Sequence, residues 1–326
     1  MRNRTFKFGL ALPAMLLLTA AILTGCGDAM VFDPKGPIAA QQKDLIYIST
    51  LLCVVILVPV LALTAYIVVR YRDRQDNDAP YDPNWSHSTK LEVVWWTIPI
   101  VIIAILAAVT VRYTHALEPS KPIVSEKEEL VVQVTSLDWK WLFQYPEQDI
   151  ATVNYLYIPE DRPIRFELTS DAPMNSFWIP QLGGQIYTMS GMAMTLYLQA
   201  DEPGVYYGSG ANFSGEHFAD MTFHATAVPQ DEFDAWVEQV KSTSEPLTVE
   251  GYETLRQPGK AQVHQYAGIP ESLFHDIVTK YVVDGQNPHA GHGASTEPRD
   301  AAETNAESSA SETTTEHGHD AHGASH

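Results

Sequence analysis

Apolar residues are concentrated in three blocks near the N-terminus, after which the chain changes to short alternating segments. The first block, residues 8–23, follows three basic residues and has the length and flanks of a signal peptide. Residues 45–69 and 93–111 contain no charged side chain, and each run can cross a hydrocarbon core of about 30 Å as a helix. The pattern therefore predicts an exported protein with two membrane-spanning helices.

The signal-like segment ends in four residues that resemble the lipobox of bacterial lipoproteins: Leu23-Thr24-Gly25-Cys26. We therefore expect cleavage before Cys26 and attachment of diacylglycerol to its thiol on the outer face of the membrane; an uncleaved signal anchor is the alternative. The loop between the two spans carries four basic residues that favour the cytoplasmic side: Arg70, Arg72, Arg74 and Lys90. Both observations predict that the chain after residue 112 lies outside.

Between residues 130 and 228, apolar and polar positions alternate in short segments separated by Pro, Gly, Asp and Asn. The candidate strands are residues 130–136, 139–144, 152–158, 163–169, 176–179, 185–189, 194–199, 204–208 and 221–227. So many short strands in so short a stretch predict an all-β sandwich or barrel. Two amphipathic segments, residues 231–241 and 270–283, then predict a helical C-terminal extension.

The net charge of −20 argues against nucleic-acid binding, because contacts to phosphate depend on Lys and Arg. Residues 285–326 are rich in Ala, Ser, Thr, Glu, Gly and His, which predicts a disordered tail, either simply solvated or binding a divalent metal loosely. The expected organisation is a signal peptide (1–25), a lipidated N-terminus with a two-helix hairpin (26–112), an outer domain (113–229), a helical extension (230–284) and this tail.

Several motifs within residues 20–285 carry a family resemblance. They are Asp33-Pro34-Lys35-Gly36, residues 83–88, residues 91–99, residues 115–122, Asp138-Trp139-Lys140-Trp141, residues 145–148 and Met174-Asn175-Ser176-Phe177. With these motifs in this order, the chain resembles subunit II of the haem-copper respiratory oxidases, most closely the quinol-oxidase branch of the cytochrome bo₃ type. The resemblance implies two transmembrane helices followed by an all-β, cupredoxin-like sandwich and a C-terminal helical extension.

In the cytochrome c oxidase branch of this family, the β domain holds a dinuclear copper centre through two Cys, two His, a Met and a Glu carbonyl. The resemblance implies that other residues replace most of these ligands here, namely Asn175, Gly210, Asn212, Ser214 and Phe218, and that Met221 is retained. His217 stands one place early and would face the other side of a strand. The two cysteines, Cys26 and Cys53, both precede the domain, so it has no thiolate to hold copper. We expect no metal or other cofactor on this chain.

Three further residues are candidates for function. The resemblance implies that Glu92 lies near the mouth of a proton pathway into subunit I; a carboxylate that simply faces water is the alternative. Trp139 and Trp141 lie two residues apart on one predicted strand, so we expect them to share a face. That face would either pack in the core or dock to subunit I.

The resemblance implies a non-catalytic subunit of a proton-pumping ubiquinol oxidase in the bacterial inner membrane, with its soluble domain on the periplasmic face. The haems and the catalytic copper would belong to subunit I. The expected partners are subunit I as the main contact, subunits III and IV, membrane lipid, and ubiquinol through the complex, but neither cytochrome c nor nucleic acid. An aa₃-type menaquinol oxidase subunit, a lipoprotein binding module with a degenerate cupredoxin domain, and a copper chaperone acting through the tail are the alternatives.

Overall fold

The computed structural model describes residues 29–281, apart from Arg74, Asp76 and Tyr81. The predicted signal peptide, the lipidation candidate Cys26 and the tail at 285–326 lie outside the described residues. Their predictions therefore stand as they were made from the sequence.

Two long helices come first, α1 (Pro37–Arg70) and α2 (Thr89–Ala116). Pro37 is well suited to start a helix, because its fixed φ is helical and its missing N–H would have no partner there. Both helices are long and apolar enough to cross a membrane, and their apolar side chains are exposed along the spans. An apolar surface on all sides is typical of a helix that faces lipid or other helices.

Among the described residues, two β-sheets follow the helices. Their strands are β1 (Leu130–Leu137), β2 (Lys140–Tyr145), β3 (Ile150–Val153), β4 (Tyr155–Pro159), β5 (Ile164–Ser170), β6 (Asn175–Trp178), β7 (Ile186–Thr188), β8 (Met194–Leu198), β9 (Gly204–Gly210), β10 (Thr222–Val228) and β11 (His264–Ala267). One sheet has the order β11-β3-β2-β1-β5-β8, and the other has the order β4-β10-β9-β6-β7. The inward side chains of the two sheets form one shared core. The predicted sandwich is thus confirmed.

The predicted strand at 152–158 is two strands, and they belong to different sheets. The break falls at Asn154, whose backbone has a φ of 54°, in the left-handed region that Asn tolerates better than most residues. Its side chain holds the corner: Oδ1 accepts the N–H of Trp141 at 2.8 Å, and Nδ2 donates to the carbonyl of Ala261 at 2.8 Å. Asn154 therefore transfers the chain from one sheet to the other.

The C-terminal extension contains α3 (Gln230–Thr243), α4 (Val249–Leu255) and α5 (Leu273–Thr279). Helix α3 buries the apolar face expected from its periodicity: Phe233, Trp236, Val237 and Val240. Helix α5 is shorter than the predicted 270–283 segment. Helix α4 and strand β11 were not predicted, and β11 adds an edge strand to the six-stranded sheet beside β3.

One buried carboxylate ties this extension to the sandwich. The side chain of Asp171, just after β5, is fully buried and accepts hydrogen bonds from the hydroxyls of Tyr252 at 2.6 Å and Tyr281 at 2.5 Å. Lys280 Nζ donates to it at 2.9 Å, and Arg256 Nε lies 3.5 Å away. Burial opposes ionisation of Asp171, but the bonds from the two tyrosines and Lys280 outweigh it and lower the pKa of the carboxyl.

We predict that Asp171→Asn loosens the extension by about 3 kcal/mol, because it removes the charge that pairs Lys280 and Arg256 in a buried site. Hydrogen exchange of residues 249–281 in the purified protein should accelerate. Exposed Glu238, which lies 3.6 Å from Lys241, offers a control as Glu238→Gln. Because the folded-state pKa of Asp171 is lowered, its stabilisation is present above the ordinary pKa of 3.8 and is lost as the pH falls below it. Unchanged exchange in Asp171→Asn would contradict this account.

Candidate functional site

The copper-ligand positions implied by the family resemblance fall at one edge of the five-stranded sheet. Asn175 begins β6, Gly210 ends β9, and Met221 immediately precedes β10. Strands β10, β9 and β6 are consecutive neighbours, and each adjacent pair is antiparallel. The start of one strand therefore lies beside the end of the next. Four of the six positions meet there: Asn175, Gly210, Ser214 and Met221.

We call the residues at this edge the 175–221 cluster (Asn175, Gly210, Ser214, Met221). The three side chains among them are in contact. Asn175 Nδ2 donates to Met221 Sδ at 2.8 Å and lies 3.3 Å from Ser214 Oγ. A Cβ at Gly210 would stand 2.8 Å from Asn175 Oδ1, so the amide occupies the space that a side chain there would need. Asn175 and Met221 are each 1% exposed. The Asn175 amide and the Met221 thioether are therefore buried and in contact with each other.

The other two positions point elsewhere. Asn212 Nδ2 donates to the carbonyl of Met174 at 3.0 Å, and the ring of Phe218 packs on Phe213 with centroids 5.6 Å apart. His217 does not lie on a strand, so the strand-face argument does not apply to it. It precedes a short 3₁₀ turn, Phe218–Asp220, and its ring stands edge-on to Trp139 at 4.9 Å.

The donor set of the 175–221 cluster does not fit a dinuclear copper centre. It offers an amide, a hydroxyl and a thioether, whereas copper of this kind is held by thiolates and imidazoles. Both cysteines precede the domain in the sequence, and Cys53 lies on the exposed surface of α1. Within the described part of the chain, no group of three or more His, Cys, Asp or Glu side chains could hold a metal ion.

The two tryptophans do not lie on one strand as expected, because β2 begins at Lys140 and only Trp141 belongs to it. Trp139 lies in the turn before β2 with a φ of 62°, and its Nε1 donates to the carbonyl of Ser214 at 3.2 Å. Trp141 is 0% exposed and packs edge-on against Phe177 and Phe223. A left-handed residue turns the side chain out of the strand alternation. Trp141 is therefore a core residue and cannot dock to a partner, whereas Trp139 is half-buried beside the cluster.

A second candidate site lies at the N-terminal end of α2. Glu92 is in the first turn of the helix, where the unpaired N–H groups favour a negative charge. Its Oε1 lies 2.5 Å from His87 Nδ1, and His87 Nε2 lies 3.0 Å from Thr89 Oγ1. Sequence reasoning did not single out His87; its position five residues before an acidic residue at a predicted helix start was the available signal.

Comparison with known proteins identifies the family. Family profiles match three parts of the chain: "Cytochrome C oxidase subunit II, transmembrane domain" at 29–112, "Cytochrome C oxidase subunit II, periplasmic domain" at 146–228, and "COX Aromatic Rich Motif" at 241–285. The chain is 47% identical to quinol oxidase subunit 2 of Bacillus spizizenii, over 83% of each chain. This chain belongs to the subunit II family of the haem-copper oxidases.

Other relatives in the family are also named for quinol oxidation. Ubiquinol oxidase subunit 2 of Acetobacter aceti is 47% identical over 81% of this chain and 86% of its own. Cytochrome bo(3) ubiquinol oxidase subunit 2 of Pseudomonas aeruginosa is 43% identical over 87% of this chain and 85% of its own. As a family member, this chain has a cupredoxin-like sandwich on a two-helix membrane anchor, within an oxidase complex.

The crowding at Gly210 generates a test of the 175–221 cluster. We predict that Gly210→Ala lowers the free energy of unfolding by about 1–3 kcal/mol, because the new methyl group overpacks against the Asn175 amide. Gly204→Ala is the matched control on the same strand, since a Cβ there meets Tyr206 at an ordinary 3.4 Å. Thermal unfolding followed by tryptophan fluorescence measures both changes.

A double-mutant cycle tests whether the loss of stability in Gly210→Ala comes from contact with Asn175. Asn175→Ala removes the clashing amide, so the combined variant should lose less stability than the sum of the two single changes. Additive losses would show that Gly210 and Asn175 are not coupled.

Proposed function

We propose that this chain is subunit II of a proton-pumping ubiquinol oxidase, in which ubiquinol is oxidised to ubiquinone and O₂ is reduced to water, and that it carries no redox centre. The observation that carries the proposal is the 175–221 cluster. At the positions we take to be those of the copper ligands, Asn175 hydrogen-bonds to Met221 Sδ at 2.8 Å and Gly210 has no side chain. A cupredoxin scaffold is retained and its ligand set is replaced.

This replacement selects the electron donor. A soluble cytochrome would need a thiolate-held copper relay in the outer domain, and no cysteine follows Cys53. A lipid-soluble quinol can instead deliver electrons within the membrane to another subunit. We assign the haems, the catalytic copper and the quinol site to subunit I. We assign to this chain packing against subunit I, contacts with subunits III and IV, and assembly of the complex.

The position in the cell follows from the hairpin and the N-terminus. We propose cleavage before Cys26, acylation of its thiol, and location in the bacterial inner membrane with the sandwich on the periplasmic side. Basic residues at the other ends of the spans, such as Arg70 and Lys90, support this orientation.

We further propose that Glu92 collects protons on the cytoplasmic side for the pathway into subunit I. Two features of its surroundings support this role. Glu92 is only part-exposed at the membrane end of α2, and the exposed imidazole of His87 touches it at 2.5 Å. Histidine side chains commonly act as proton shuttles, so His87 can pass a proton from water to the carboxylate.

Purification through this subunit tests the main proposal. We expect haem and the copper of subunit I in the complex, no additional dinuclear copper, and O₂ consumption with ubiquinol but not with reduced cytochrome c. Deletion of the subunit should abolish assembled oxidase. An active oxidase without this subunit would overturn the proposal, menaquinol as the sole donor would favour the aa₃-type alternative, and purification without haem would favour a separate binding module.

The proton-uptake role has its own test. Glu92→Gln should slow ubiquinol-dependent O₂ consumption several-fold while the haem content stays unchanged, because the amide cannot carry a proton. Asp78→Asn, which alters an exposed carboxylate in the loop that precedes α2, should leave the rate unchanged. If His87 acts through Glu92, His87→Phe should slow the parent enzyme but have no further effect on Glu92→Gln. A parental rate in Glu92→Gln would exclude the role.

A further inference from the structure

The segment before α1 is held firmly on the outer domain. The Lys35 N–H donates to the carbonyl of Gln181 at 2.8 Å, and the Asp201 N–H donates to the carbonyl of Lys35 at 2.8 Å. Next to it, a Cβ at Gly36 would overlap the carbonyl oxygen of Gln199, so only glycine allows this close approach. Lys35 and Gly36 are therefore fixed on the outer domain, with the N-terminal residues before them and α1 after them.

From this point the N-terminal residues run back alongside α1. They form a short 3₁₀ turn, Met30–Phe32, and the ring of Phe32 contacts the ring of Tyr47 with centroids 6.0 Å apart. Tyr47 lies ten residues into α1, or about 15 Å along its axis from Pro37 at a rise of about 1.5 Å per residue. The turn is therefore directed towards the membrane and away from the sandwich.

The height of Tyr47 on α1 is that of the outer membrane surface. Lys43 and Asp44 are the last charged residues before the apolar run at 45–69, and Tyr47 is the third residue of that run. Tyrosine is enriched at this level because its ring is apolar and its hydroxyl is polar. The turn that packs on Tyr47 is consequently at the same level.

The exposed side chains there form what we call the interfacial patch: Met30, Phe32 and Tyr47, which are 39%, 47% and 55% exposed. Leu45 and Ser49 line a groove between α1 and α2. Tyr47 is two residues from each of them, or about 200° around a helix of 3.6 residues per turn, so the patch faces away from α2. Its apolar surface is continuous with the lipid-exposed surface of the span.

We propose that the interfacial patch inserts into the outer leaflet and that its partner is the lipid surface itself. The proposal rests on the orientation and the Cys26 acylation given under Proposed function. Two residues lie between Cys26 and Ala29, so three chain steps put the α-carbon of Cys26 within about 11 Å of the first described residue. The patch therefore delivers the lipid of Cys26 to the bilayer beside α1, and the N-terminus makes a membrane contact separate from the two spans.

Photo-crosslinking in the intact complex tests the proposal. A benzoylphenylalanine in place of Phe32, irradiated in native membranes, should give phospholipid adducts detected by mass spectrometry. The same group in place of Phe213, which is 78% exposed on the outer domain, is the control. We expect the phospholipid adduct yield at position 32 to exceed that at position 213 several-fold.

The possible outcomes distinguish insertion of the interfacial patch from acylation of Cys26. Adducts between position 32 and another subunit, or a lipid yield no higher than at position 213, would overturn the patch, whatever the state of Cys26. The mass of the N-terminal peptide reports acylation independently. Lipid adducts at position 32 with an unmodified Cys26 would support the patch and remove only the acyl anchor.

Discussion

The stacking of Phe177 on Phe223 holds together the strand ends on which the candidate site depends. The two rings are nearly parallel, 10° apart, with centroids at 5.3 Å, and they join β6 to β10 across the intervening strand β9. Phe143 and Trp141 pack against both rings from the opposite sheet. Buried aromatic pairs contribute roughly 0.5–1.5 kcal/mol each beyond their area. Asn175 and Met221 lie next to these anchors, so their contact is set by the core.

This dependence explains how a cupredoxin-like sandwich can hold an amide, a hydroxyl and a thioether at these strand ends. The stacked aromatic rings of the core hold these strand ends together through the protein's own side chains. A buried polar side chain at these strand ends must still find hydrogen-bond partners. Asn175 meets this requirement through Met221 Sδ and through its Oδ1, which accepts the N–H of Ser176 at 2.7 Å. The strand ends therefore stay packed, and the buried amide of Asn175 stays hydrogen-bonded.

The sequence pattern predicted the main strands and the two long helices. Alternation found the main strands and an uncharged run found each span, because burial on one face or in lipid leaves a direct trace in the sequence. The break at Asn154, the turn at Trp139 and helix α4 left no such trace. Helix α4 is stabilised from a distance, since Lys140 Nζ donates to the carbonyls of Leu255 at 2.8 Å and Gln257 at 2.6 Å. Similarly, the resemblance supplied the ligand positions, but only the structure supplied their mutual contacts and the partner of Glu92.

The same contacts bear on what the outer domain contributes to an oxidase. Two tightly constrained features lie where it joins other parts of the chain: Gly36 against Gln199 before the first span, and buried Asp171 against the C-terminal extension. These junctions fix the N-terminus and the extension relative to one rigid sandwich. We expect a domain with constraints at these junctions to affect turnover by holding its neighbours in place. Substitutions at the junctions should therefore reduce the amount of assembled complex more than the rate of each complex that remains.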